Sequence, residues 1–181
     1  MLLWLFAIAF GLVLGLAAGG HISNLARLKF RWPWLVVAAI LIREVVTFSP
    51  LSRVEGAQYV YVVSLALIVV WTIWHVKRIP GVWLVTGGAL LNLIVITANG
   101  GRMPVAVDLA RAELGGILVQ RGTIGQYTLI GPNTHLGWLG DWLSIWPLQQ
   151  AYSPGDLLIA VGLALVVLVA LHRTPESDAA S

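Results

Sequence analysis

Arg43 and Glu44 stand side by side in an otherwise apolar run, AAILIREVVTF. At 1.5 Å per residue, a helix starting at Pro33 carries Arg43 about 15 Å along its axis, close to the midplane of a roughly 30 Å hydrocarbon core. An unpaired charge at that depth costs about 2.5–3.5 kcal/mol on insertion scales. Both side chains are therefore expected to face the protein interior, paired or wetted. Neighbouring residues point about 100° apart around a helix, so the spacing predicts partners on two sides. Ionisable groups so placed either lock helices together or belong to a functional site.

A second polar stripe leads in the same direction. Asn92 is about 15 Å from Val82 by the same reckoning. Asn99 follows on the same face, and Gly88 and Val95 share the stripe. The stripe runs into ANGGRMPV. Gly100 and Gly101 predict a left-handed helix end, and Pro104 a restart in a new direction. Arg102 is then held between them at the mouth of a polar cluster. A guanidinium fixed there can take a phosphate or carboxylate through two parallel hydrogen bonds. The bland alternative is an arginine that snorkels to lipid headgroups or caps free carbonyls. Gln58, Tyr61 and Ser64, spaced by three, add polar groups at the same end of the neighbouring apolar run.

Asp108, Asp141 and Asp156 could supply an aspartic dyad, provided two carboxyls lie close enough to share a proton. Asp156 has a competing role, because in SPGD it stands three after Ser153, the pattern of a helix-capping box. His135 is a weak general-base candidate. The chain has no cysteine and no H-E-x-x-H pattern, and none of its four histidines falls mid-way along an apolar run. Thiolate sites and cysteine nucleophiles are excluded, a mid-span haem is disfavoured, and no metal or cofactor is expected.

These residues need elements to hold them. The chain is 59% hydrophobic and only 10% charged, with mean hydropathy +0.87, whereas a soluble domain is nearer a quarter charged. Five apolar runs, roughly 2–18, 33–49, 58–74, 82–98 and 154–171, have lengths at the lower end for membrane-crossing helices. The expected fold class is an all-α membrane protein with about five transmembrane helices. Residues 99–153 are expected to form a cap with short interfacial helices, and residues 172–181 a disordered tail.

Orientation follows from basic residues. Arg27, Lys29 and Arg31, then Lys77 and Arg78, then Arg173 fall on one side of such a bundle. The other side has Arg53 in a short loop and Arg102, Arg111 and Arg121 in the long one, where charges count less. The N-terminus is expected outside, the C-terminus in the cytoplasm and the cap extracytoplasmic. The net charge of +3 is explained by these clusters, so no nucleic-acid partner is expected. Nine arginines against two lysines hint at a GC-rich bacterial genome and nothing stronger. No basic residue precedes the first run and three follow it, the reverse of a signal peptide, so that run is expected to be retained.

Local patterns fill in the rest. Ala7, Gly11, Gly15 and Gly19, spaced by four, predict a face that another backbone can approach closely. In the cap, a short helix is expected from Pro104 to Gly115-Gly116, with Asp108 and Arg111 paired on its surface. QRGTIGQYTLIGPNTHLG reads as turns around a hairpin. Trp138, Trp142 and Trp146 would share one helical face at the membrane surface.

ANGGRMPV, together with GGHISNLARLKFRWPW, THLGWLGDWLSIWP and SPGDLLIAVG, resembles a family of small bacterial integral membrane proteins, domain of unknown function 5317. Asn-Gly-Gly-Arg-Met-Pro is the most specific element, and the resemblance covers nearly the whole chain. It implies a bacterial membrane location and no particular activity.

The expected function is binding or handling of an anionic headgroup or small solute at an outward-facing polar site. The candidate residues are Arg43, Glu44, Asn92, Asn99, Arg102, Asp108 and Asp141. A structural subunit or assembly factor of a larger membrane complex is the first alternative, and a membrane-embedded hydrolase using the loop aspartates the second. The expected partners are the lipid bilayer, a headgroup or small anion, and a second copy or larger complex.

Overall fold

The computed structural model describes residues 2–50, 54–113, 117–145, 148 and 150–173. Arg53, Gly115, Gly116, Trp146 and the tail from residue 174 lie outside the described residues.

The chain is mostly helical. Its helices are α1 (Leu2–Ala17), α2 (Pro33–Phe48), α3 (Ala57–His75), α4 (Val82–Ala98), α5 (Val107–Glu113), α6 (Ile117–Arg121) and α7 (Pro154–Leu171). The five long ones occupy the five apolar runs, with ends within two residues. By length and composition α3 and α7 are long and apolar enough to cross a membrane, while α1 and α4 are apolar and shorter.

Packing contacts order the long helices as a row: α1 on α7, α7 on α4, α4 on α3 and α3 on α2. The last helix of the chain thus enters between the first and the fourth. Small residues let it do so. Gly81 and Gly88 of the α4 strip meet Gly162 and Gly155 of α7 in two crossings, seven residues apart on each side. A Cβ on Gly162 would fall 3.0 Å from the Gly81 carbonyl oxygen, and a Cβ on Gly88 would fall 2.9 Å from the Ile159 amide and run into the Gly155 carbonyl. On the other flank of α7, Gly11 faces the Ala164 backbone and Gly15 the Leu171 side chain. Two members of the expected glycine face therefore do pack closely. Gly19 instead takes a left-handed turn (φ 87) with open space around it.

Helix ends follow local chemistry. Ser153 and Asp156 form a reciprocal capping box at the start of α7, with Pro154 in the first turn. At the end of α4, Gly100 and Gly101 have φ of 65 and 84, and the Gly101 amide returns to the Ile96 carbonyl at 2.9 Å.

The cap is a small mixed assembly rather than a set of helices alone. β1 (Met103–Val105), β2 (Thr123–Ile124) and β3 (Tyr127–Leu129) make a sheet in the order β1-β3-β2. β2 and β3 are the expected hairpin, and β1 pairs with β3 in parallel, Met103 opposite Tyr127. β4 (Leu143–Ser144) pairs with β5 (Ala151–Tyr152).

Three expectations for the cap need correction. Pro104 does not begin a helix. It lies inside β1, where Met103 and Val105 bond towards β3 and Pro104 contributes only its carbonyl, which accepts from the Asp141 amide at 2.8 Å. A missing N–H costs nothing at such a position. Trp138 and Trp142 are not on one continuous helix, because the chain makes a 3-10 turn at Gly137–Leu139 and then runs extended, pulled straight where Asp141 bridges to Val105. Asp108 and Arg111 are both exposed and form no ion pair with each other.

The glycine crossings generate a sharp comparison. Gly87 has nothing within 4 Å of a would-be Cβ, while Gly88 beside it has no room. Gly87→Ala should be neutral or raise stability by about 0.5–1 kcal/mol through helix propensity. Gly88→Ala should lower it by about 1–3 kcal/mol through overpacking. Thermal melts in detergent check this, and equal effects would contradict the α4–α7 contact.

Candidate functional site

Polar side chains gather at the end of the row that carries the cap. Arg43 and Glu44 turn towards each other along α2. Arg43 Nε donates to Glu44 Oε1 at 3.1 Å and Nη2 donates to the same oxygen. The guanidinium also lies 5.4 Å from the centre of the Tyr61 ring on α3. Their side chains keep only 20% and 28% of their exposure, so the pair is largely covered. The expected partners on two sides are not what satisfies Glu44. Adjacent long side chains bend to meet each other, and the arginine then covers an aromatic face, a contact that favours guanidinium over ammonium.

Asn92 takes up a different task from the one its stripe suggested. Its amide nitrogen donates to Asp156 Oδ1 at 2.9 Å, and its oxygen accepts from the Ser153 hydroxyl at 2.8 Å. Asp156 Oδ2 accepts from the Ser153 amide at 3.2 Å. The capping box and Asn92 form one closed network between α4 and α7, with Ser153 fully buried. Asn99 is engaged too. Its nitrogen donates to the Val95 and His135 carbonyls, both at 2.7 Å, and its oxygen accepts from the His135 amide at 2.9 Å. It fastens the 131–135 loop to the end of α4 and, with that loop, Thr128 and Leu129, walls an open cavity of about 450 Å³.

Arg102 differs from all of these. It is half-buried, its Nε is fully covered, and among the described residues that atom has no hydrogen-bond partner. Among the described residues its guanidinium makes no ion pair. Its backbone is held between left-handed Gly101, which lies against Gln58 and Tyr59, and β1. Asp141 is buried, with its backbone amide and carbonyl paired to Pro104 and Ala106 on the edge of β1 away from β3. Tyr61 joins the groups electrostatically, since its charged and ionisable neighbours are Arg43, Tyr127, Asp156 and Asp141.

Both Asp156 oxygens are engaged in holding the start of α7, one by Asn92 and one by the Ser153 amide. Asp108 stands apart on the exposed side of α5. Among the described residues no group of three or more His, Asp or Glu could hold a metal.

The model of the family of unknown function DUF5317 matches residues 27–168, most of the chain. The chain belongs to that family. No curated protein and no solved structure matches it.

The matched region of this DUF5317 chain holds a second polar group that residue patterns did not reveal, at the opposite end of the row. His75, 1% exposed, receives the Arg31 amide at Nε2 (3.1 Å) and uses Nδ1 on the Trp71 carbonyl (2.8 Å). Trp71 Nε1 in turn donates to the Arg31 carbonyl at 2.8 Å. The readable signal was a histidine four residues after a tryptophan on one helix face, next to a basic loop. Beyond the matched region, His172 faces the Leu168 and Ala18 carbonyls, at 2.9 and 3.3 Å. Those acceptors, Leu168 first, favour the charged ring and hold its pKa above the ordinary histidine value.

The network at Asn92 is testable. Asn92→Ala leaves the Ser153 hydroxyl and one Asp156 oxygen without their partner, at a cost of about 1–3 kcal/mol. Ser153→Ala should cost a similar amount, and the double variant much less than the sum, because both changes break the same bond. Melts of the four proteins read the coupling directly, and strict additivity would remove the network.

Proposed function

We propose that this protein is a five-span integral protein of the bacterial plasma membrane that binds an anionic headgroup or small anion beneath its cap, with Arg102 as the anchoring group. Arg102 carries the reading. Burying a guanidinium nitrogen without a partner is costly, and the backbone on both sides is more constrained than a snorkelling arginine requires. Asn92 is satisfied by Ser153 and Asp156, Asn99 by Val95 and His135, and Arg43 by Glu44. Asn92 and Asn99 therefore serve as scaffold, and Arg43 with Glu44 as a neutralised pair, while Arg102 keeps its capacity for an incoming acceptor.

Five spans are supported by the surfaces of the helices. Leu5, Phe10 and Val13 on α1, Val37, Leu41 and Val45 on α2, and Val63 and Val70 on α3 are all more than half exposed. Water would penalise apolar faces of that extent, and lipid does not. Helices of 16 or 17 residues are about 24–26 Å long, a mismatch that a bilayer accommodates by local thinning. The positive-inside rule sets the cap outside and the Arg27–Arg31 and Lys77–Arg78 loops in the cytoplasm.

Single cysteines test the topology, since the chain has none of its own. With Gln120→Cys in the cap and Ser177→Cys in the tail, an impermeant thiol reagent applied to intact cells should label only the first. Labelling of the tail alone would invert the topology.

The ligand site is tested by Arg102→Ala beside Arg102→Lys, titrated with a phosphorylated lipid in detergent. Alanine should weaken binding about tenfold or more, and lysine should recover only part, because an ammonium cannot form the two parallel bonds of a guanidinium fork. Lysine equal to wild type would reduce Arg102 to a general anchor.

A further inference from the structure

We propose that the basic end of the helix row is a clamp for the phosphate of an anionic membrane lipid, with Arg31 and Arg78 as its guanidiniums and Trp74 as the ring that both approach. The proposal rests on the membrane-spanning reading and is independent of the Arg102 site.

Arg31 is positioned, not loose. Its amide and carbonyl are both tied to α3, through His75 and Trp71. Phe30 stacks on Trp71 with ring centres 5.7 Å apart. The residue after it, Trp32, is held in the left-handed region (φ 55, ψ 52). For a bulky residue that conformation is strained, and such strain persists only where the surroundings impose it. It lays the Trp32 ring against Arg31, whose guanidinium carbon is 4.6 Å from that ring centre and 5.8 Å from the Trp74 ring centre. Arg78 reaches the same Trp74 ring at 5.8 Å, and its carbonyl accepts from Arg173 Nη2 at 2.9 Å.

Two guanidiniums therefore share one indole. Like charges so placed repel unless an anion joins them. Of the eight acidic residues, Glu176 and Asp178 fall in the tail outside the described residues; the six at positions 44, 55, 108, 113, 141 and 156 belong to the opposite half of the helices, the loop before α3 and the cap, and the loops 18–32 and 76–81 contain none. Among the described residues neither Arg31 nor Arg78 has an ion-pair partner.

The depth of the clamp selects the class of anion. Trp32 and Trp74 are about half exposed and Trp34 is more so, all at the edge of the apolar helices. Half-exposed indoles at a helix edge mark the headgroup zone of a bilayer. The anion found at that depth is the phosphodiester of a lipid, and a guanidinium fork matches its paired oxygens.

The test uses the full chain in detergent, with native mass spectrometry of bound phosphatidylglycerol against phosphatidylcholine. Wild type should retain phosphatidylglycerol in preference. Arg31→Gln with Arg78→Gln should weaken that retention about tenfold or more. Lys29→Gln with Lys77→Gln removes the same charge and should weaken it far less. Trp74→Leu keeps every charge and should still reduce retention, which protects the test if the arginine variant folds poorly. Inorganic phosphate at matched concentration should not displace the lipid. Equal loss in both double variants would replace the clamp with a diffuse field. Equal retention of the two lipids by wild type, or displacement by phosphate, would also overturn it. Carbonate extraction of membranes reads spanning separately: a chain that resists extraction but shows no phosphatidylglycerol preference sinks the clamp alone.

Discussion

The joint between α4 and α7 is the constraint on which the other features depend. Glycines at 88 and 155 bring the two backbones so close that Asn92, one turn further along α4, reaches the capping box of α7. The network is possible only at that separation, and the separation is tolerable only because the polar groups it buries are satisfied. Hydrogen bonds between apolar helices are worth about 0.6 kcal/mol on average, so close packing supplies most of the attraction and the bonds supply register. A shift of α7 by one residue would strand Asn92, Ser153 and Asp156 together, each at the cost of an unsatisfied buried group.

That joint also places the two ends. By fixing α7 between α1 and α4, it brings the Leu171 carbonyl to the His21 amide (2.9 Å) and the Asn24 side chain (2.8 Å). The loop that follows α1 is thereby tied to the end of α7. Arg173 then reaches Arg78, and one basic surface forms from three separate stretches of chain. At the opposite end, the turn after α4 launches β1, and the cap closes over the tops of α3 and α4 through Met103, Leu139 and Tyr127. Charge segregation along the sequence becomes charge segregation along an axis only because the helices are locked in this order.

Much of this was legible in the sequence. Apolar run length located all five long helices, since a helix buried or lipid-clad along its length must be apolar along its length. SPGD and Asn-Gly-Gly marked a helix start and a helix end because those positions demand particular side chains. The cap was harder. Its strands are two or three residues long, too short for an alternating pattern, and Pro104 carries the signature of a helix start as readily as that of a strand whose N–H is unused. Trp138 and Trp142 have helical spacing, but the bridge from Asp141 to Val105, distant in sequence, overrides local preference. For the site, depth along the helix showed that Asn92 and Arg43 must be satisfied, not by what. One partner of Arg43 was its own neighbour, and the partners of Asn92 lay at the start of α7, more than sixty residues away. The Arg31–His75–Trp71 network joins a loop to a helix end and has no periodicity to read.

The three positioned arginines separate structural from receptive roles by one criterion. Arg43 has its carboxylate and its aromatic face within the fold, so bringing it a ligand would require breaking a pair already made. Arg102 and Arg31 have ordered backbones and no ion-pair partner among the described residues. Ordering a long cationic side chain or its backbone costs entropy whether or not a partner arrives. A fold that bears that cost, with strain at Trp32 in one case and a covered, unbonded Nε in the other, lowers what a ligand must later supply. Preorganisation without a counter-ion among the described residues is therefore what the two proposed binding arginines share, one under the cap and one at the basic rim.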